Sequence, residues 1–179
     1  MTKKAFLKKA LAGALMAASA VGSAWAQPKT EVLWLGQAAF RVTTPGGKSI
    51  MIDPWFTTNP KTPADWKHLD SVGKVDAILV THGHGDHVGD APALAKRHGA
   101  PLLVPGGLGS SLTALGVVPG QQVTLFNKGG TVTLFGPQGV KVSMTPAEHS
   151  SEFTHRNPAT GKDEIHVGGE PVGYVLELE

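Results

Sequence analysis

His82, His84, Asp86 and His87 stand in the run Thr81-His-Gly-His-Gly-Asp-His-Val88, which places three imidazoles and a carboxylate within one short turn. Packing does not call for such a cluster, whereas metal ligation does. In an extended chain, residues two apart point the same way, so His82 and His84 can bind one ion. Gly83 and Gly85 lack β-carbons and let the backbone bend, so that Asp86 and His87 can be aimed at a second position beside the first. The spacing therefore predicts two adjacent metal sites. Zinc suits imidazole with carboxylate best, and because nitrogen and oxygen donors do not select strictly, manganese and iron suit the same set. The bland alternative is a histidine tract on a surface loop with weak metal affinity.

The elements around the motif must hold it still. Residues 75–80 form a nearly continuous apolar run, the pattern of a strand buried on both faces. After the motif, Asp90 is placed to cap a helix over residues 91–97, which Gly99 and Pro101 end. The four residues then lie between the carboxyl end of a strand and a helix, where ligand sites of open α/β sheets gather.

Elsewhere the pattern is strand-rich. Residues 31–35, 38–43 and 49–52 read as strands, expected as antiparallel neighbours, with a turn at 45–48. Asp53-Pro54 ends the third strand, and residues 55–69 form a long irregular loop with Trp55, Phe56 and Trp66. These aromatics either pack the loop or line a substrate mouth. Residues 101–104 suggest a parallel strand, 108–115 a helix, and 122–126, 131–135, 140–145 and 171–178 further strands. The glycines of residues 106–111 fit neither a dinucleotide-binding nor a serine-nucleophile pattern and mark a helix start. His68, His98, His155 and His166 show no ligand spacing, and His98 at a helix end complements the macrodipole.

The first residues read as a secretory signal peptide. Lys3, Lys4, Lys8 and Lys9 precede an apolar stretch over residues 10–21, and Ala24-Trp25-Ala26 is a small-x-small cleavage signal. The apolar stretch is shorter than the roughly 20 residues a spanning helix needs. The expected division is a signal peptide over residues 1–26 and one domain over residues 27–179, in a periplasmic or secreted location with no membrane attachment after cleavage. The whole chain has 16 Lys and Arg against 14 Asp and Glu; without the four leader lysines the balance is 12 against 14, a net charge of −2. Such a balance excludes a nucleic-acid partner as an expectation, and nothing in the pattern specifies an oligomer. The 153 residues that remain from 179 after a 26-residue leader are enough for one modest core. Cysteine is absent, which removes thiolate ligands and cysteine nucleophiles.

With strand, motif and helix in place, the chain resembles the metallo-β-lactamase superfamily, and within it the UPF0173-type metal-dependent hydrolases. The likeness rests on the segments at residues 34–40, Ile52-Asp53-Pro54, residues 81–90, Ala147-Glu148-His149-Ser150 and residues 169–173, in the family's order. It implies an α/β fold, the αβ/βα sandwich of that superfamily, present as its first half plus a few following strands. By the resemblance, His82, His84 and His149 hold the first metal, Asp86 and His87 part of the second, and Asp53 orients a ligating histidine. The family's later Gly-Asp-Thr segment, which carries a bridging aspartate, and a final histidine are not within the chain, so the domain is expected to be incomplete at its C-terminus.

The function implied is a zinc-dependent hydrolase, with two ions in a complete member, that opens a small ester, lactone or phosphorylated substrate by attack of a metal-bound hydroxide. Asp86 would hold the second ion and receive the nucleophile's proton. The alternative is a truncated, catalytically inactive periplasmic metal-binding protein that keeps the three-histidine site.

Overall fold

The computed structural model describes residues 29–178. The expected signal peptide lies outside the described residues. Among the described residues no helix is long and apolar enough to cross a membrane.

Three strands open the fold as an antiparallel meander: β1 (Glu31–Gly36), β2 (Ala39–Thr43) and β3 (Ser49–Ile52). The chain then turns to parallel pairing through β4 (Ala77–Leu79), β5 (Leu102–Pro105) and β6 (Val123–Phe126), giving one six-stranded sheet in sequential order. Parallel strands need crossovers, and helix α2 (Ala91–His98) and helix α3 (Gly106–Ala114) supply two of them. A single helical turn, α1 (Gly85–Val88), precedes α2.

Both faces of the central strands are covered, which is why β4 and β5 are apolar at every position. On one face Met51, Ile78, Val80, Leu102 and Val104 pack against Leu94 and Ala95 of α2 and Leu108 and Leu112 of α3. On the other, Ile50, Ala77, Leu79 and Leu103 meet Leu134, Val140 and Val142. That second core belongs to a three-stranded sheet of β7 (Thr131–Thr133), β8 (Lys141–Pro146) and β11 (Val172–Glu177), in the order β11-β8-β7. Helices, large sheet and small sheet are thus stacked as the expected αβ/βα sandwich requires of its first half and following strands. Tyr174 bolts the sheets together: its buried hydroxyl donates to the carbonyls of Val80 (2.9 Å) and Leu103 (3.3 Å).

Several expectations are corrected. Asp90 does not cap α2 with its side chain. Its carboxylate turns back instead and accepts the backbone N–H groups of Phe56 and Thr57, at 2.9 and 3.0 Å, and the Thr57 hydroxyl. Three donors from one loop hold the aspartate more firmly than one helix amide would, and the loop after β3 is clamped beside the metal-ligand turn. That loop is not wholly irregular, since it takes 3-10 turns at Ala64–Trp66 and Leu69–Val72. Phe56 is fully buried and Trp66 lies under the Arg41 guanidinium, so both aromatics pack the loop. A hairpin, β9 (Glu152–Arg156) with β10 (Asp163–Val167), stands where no strand was expected. Its alternation is carried by Phe153, His155, Glu164 and His166 amid charged residues, a pattern too polar to announce a strand.

Candidate metal centre

The ligand turn starts where β4 leaves the sheet. Val80 N–H still bonds Leu103 O at 3.1 Å, and Thr81 O accepts the N–H of Val172 at 3.1 Å, so the backbone is pinned on both sides before His82. His84 keeps an extended backbone (φ −67°, ψ 146°), and the chain then winds into α1, with Val88 N–H bonded to His84 O at 2.9 Å. His82 therefore projects from a bend, His84 from extended chain, and Asp86 and His87 from a helical turn. The chain bends at His82 and Gly83, as expected of the first glycine, without a positive φ at either Gly83 or Gly85, and Gly85 opens α1. Gly83 is needed for space: a β-carbon there would come 2.6 Å from Gly168 Cα. A β-carbon on Gly85 would meet nothing within 4 Å.

His82, His84 and His149 converge, with one ligand nitrogen from each lying within 4.8 Å of the others. His82 Nε2 and His84 Nδ1 are 3.2 Å apart. Two nitrogens bound to a tetrahedral zinc at about 2.0–2.1 Å would be separated by roughly 3.3 Å, so this pair is at ligand spacing. His149, exposed on the loop after β8, places its ring 4.8 Å from that of His82 and 5.0 Å from that of His84. The donor set fits a metal ion. His87 completes the cluster from the other side, 4.0 Å ring to ring from His82, and its Nε2 lies 3.9 Å from Asp86 Oδ2. The structure thus brings together all five residues of the expected ligand set as two adjoining groups. His155 and His166 face each other on the hairpin at 6.2 Å, and the three-histidine group is the one convergent set of its kind among the described residues.

Asp53 sits beneath both groups in a left-handed conformation (φ 44°), a conformation aspartate tolerates better than most residues. Its Oδ1 accepts Thr81 N–H at 2.7 Å; its Oδ2 accepts the Thr81 hydroxyl at 2.7 Å and the Nδ1–H of His87 at 2.9 Å. The Thr81 oxygen in turn lies 3.0 Å from His82 Nδ1. One buried carboxylate therefore turns Nε2 of both His82 and His87 toward the site, the role expected of it for one histidine.

Burial, reinforced by the neighbouring imidazoles His87 and His84, pushes the His82 pKa down from 6.5 to about 4. Its ring is neutral at physiological pH, as a metal ligand must be. His87 goes the other way: burial opposes its charge, but the hydrogen bond and charge of Asp53, with Asp86 behind, outweigh burial and raise its pKa. Tyr174, deeply buried and near the Asp53 charge, is pushed far above its ordinary value.

Three polar contacts escaped sequence reasoning. Gln37 occupies a left-handed position (φ 51°) in the β1–β2 turn, and its amide donates to Asp86 Oδ2 at 2.8 Å. Thr81 relays Asp53 to His82, as described. Glu152, the first residue of β9, puts Oε2 3.0 Å from His84 Nε2. Gln37 is 49 residues from its partner and Glu152 is 68 from its own, so no local spacing signals either contact.

This assembly of a buried-on-both-faces sheet with a His-x-His-x-Asp-His turn at its carboxyl edge defines a class. The chain matches the beta-lactamase superfamily domain over residues 48–179 and belongs to that superfamily. Within it the likeness is to UPF0173 metal-dependent hydrolases. One from Cupriavidus necator is 63% identical over 151 residues, covering 84% of this chain and 52% of the relative. Another, from Polynucleobacter asymbioticus, is 50% identical and covers 100% of this chain and 65% of the relative. Among solved structures, Igni18, a metallo hydrolase from the archaeon Ignicoccus hospitalis, superposes with a TM-score of 0.63 at 29% identity, over 83% of this chain and 56% of that one. The chain spans about half to two thirds of the length of the curated relatives it matches.

Proposed function

We propose that the chain carries the metal centre of a zinc-dependent hydrolase acting on a small ester, lactone or phosphorylated substrate. The observation that supports this most is the convergence of His82, His84 and His149 on one point with His87 and Asp86 alongside. A divalent ion held there would acidify a bound water from about 15.7 to about 7 and polarise the oxygen under attack. His82, His84 and His149 bind that ion. Asp86 and His87 present a carboxylate oxygen and Nε2 to the adjoining position, and Asp86 is the acceptor for the proton released from the attacking water. Gln37 donates to Oδ2 of Asp86 and so helps hold the carboxylate in place. Manganese and iron suit the same donors. Export to the periplasm, read from residues 1–26, belongs to the same proposal.

The test is turnover on a panel of lactones, carboxylic esters and phosphoesters with zinc and with manganese, before and after chelation. Metal-dependent turnover that is lost in Asp86→Ala bears out the reading. A second reading, a periplasmic metal-binding protein without catalysis, is favoured by one observation: among the described residues the adjoining position has only Asp86 and His87. Tight zinc binding with no turnover on any substrate would decide for it.

A further inference from the structure

Every residue from His149 to Glu152 touches the turn that carries His82 and His84. The His149 ring packs on both of those rings, and Ser150 Oγ lies 3.4 Å from His84 Nε2. Ser151 Oγ accepts the N–H of Gly83 at 3.0 Å, and Glu152 Oε2 reaches His84 Nε2 at 3.0 Å. The hairpin begun by Glu152 is anchored again at its far end, where Gly168 N–H bonds Ser151 O at 3.2 Å. Gly83 has no room for a β-carbon because Gly168 Cα would lie 2.6 Å from it, and Gly168 has none because it sits against Ser151. Glu152 is therefore delivered to His84 by backbone fixed on both sides.

An exposed carboxylate beside an imidazole contributes little by itself. What matters is the other nitrogen of the ring. A neutral imidazole carries one N–H and one lone pair, so whatever holds the N–H decides which nitrogen is left to a metal. His84 Nδ1 is the atom 3.2 Å from His82 Nε2, and His84 Nε2 is the atom facing Glu152.

We propose that Glu152 is a positioning residue for the metal centre, holding the Nε2–H of His84 and so reserving Nδ1 for the ion. The β9–β10 hairpin then does for His84 what Asp53 does for His82 and His87. Two carboxylates from distant parts of the chain fix the ring orientations and basicity of the ligands, an arrangement that sets affinity in metal–histidine sites. The inference rests on the reading of His84 as a ligand.

The experiment compares zinc affinity, by competition with a chromogenic chelator, in the wild-type chain, Glu152→Ala, Glu152→Gln and His84→Ala. Glu152→Ala should weaken zinc binding by about 10–100-fold. Glu152→Gln keeps an oxygen that accepts the N–H and should restore most of the affinity. The metal-free melting temperature should be unchanged in both, since the side chain is exposed. Long-range nitrogen–proton NMR of the wild-type chain should show His84 protonated at Nε2 with and without zinc. Unchanged affinity in Glu152→Ala while His84→Ala loses zinc overturns the inference and leaves the metal centre standing. A wild-type His84 protonated at Nδ1 in the metal-free chain overturns it whatever the variants do. Unchanged affinity in His84→Ala removes the metal centre itself, and the inference with it.

Discussion

Asp53 Oδ2 lies 2.9 Å from Nδ1 of His87, and through the Thr81 hydroxyl the same carboxylate reaches Nδ1 of His82. One side chain thus orients a histidine of each adjoining metal position. Asp53→Asn is the clean way to break this, because asparagine also tolerates the positive φ at that position. The amide must turn a donor toward either Thr81 N–H or the pair formed by the Thr81 hydroxyl and His87. Zinc affinity should fall by about 10–100-fold. Isothermal titration checks this, and an affinity equal to the wild type would remove Asp53 from the ligand-orienting role.

The pH dependence of the metal-free chain follows from His82. Its pKa is about 4 when folded against an ordinary 6.5, so between those values the unfolded chain binds the proton and the folded chain does not. Stability from this residue is fully present above about pH 6.5 and is lost as pH falls toward 4. His87, with its raised pKa, has the opposite sign: its contribution is present below its ordinary value and is lost as pH rises through the raised one. Urea unfolding at pH 6.5, 5.75 and 5 should show declining stability, and His82→Asn should flatten that decline. Equal slopes for wild type and variant would contradict the assignment.

Much of the site was legible because its chemistry is local. His82, His84, Asp86 and His87 lie in one turn, and the apolar run before them announced a doubly buried strand, found as Ala77–Leu79. The fold class was legible for the same reason: β4 and β5 have no polar position, and such strands require layers on both faces. What the sequence hid was either long-range or polar. The β9–β10 hairpin buries only Phe153 fully, so its alternation is written in histidines and acids. Asp90 sits where a helix cap belongs, yet three donors from the loop at residues 56–57 win its carboxylate. Gly83 sits in the bend the sequence announced, but its contact stayed hidden, because the partner that needs the space, Gly168, is far away in sequence.

That contact yields a packing prediction. Gly83→Ala places a methyl group 2.6 Å from Gly168 Cα and 3.1 Å from the Glu152 carbonyl carbon, both backbone atoms that cannot swing aside. Overpacking of this kind typically costs about 1–3 kcal/mol. Gly85→Ala, with open space around it, should leave zinc binding intact. Thermal melts and zinc affinities of the two variants separate them, and equal behaviour would show that the hairpin does not seat on the ligand turn.

His82, His84 and His149 together are expected to hold a metal ion. Elemental analysis of the zinc-loaded chain after exhaustive dialysis, with His84→Ala treated identically, tests it most directly. About one tightly held zinc per wild-type chain is expected, bound through three imidazoles, with most of that zinc lost in the variant. The same zinc content in both would contradict it.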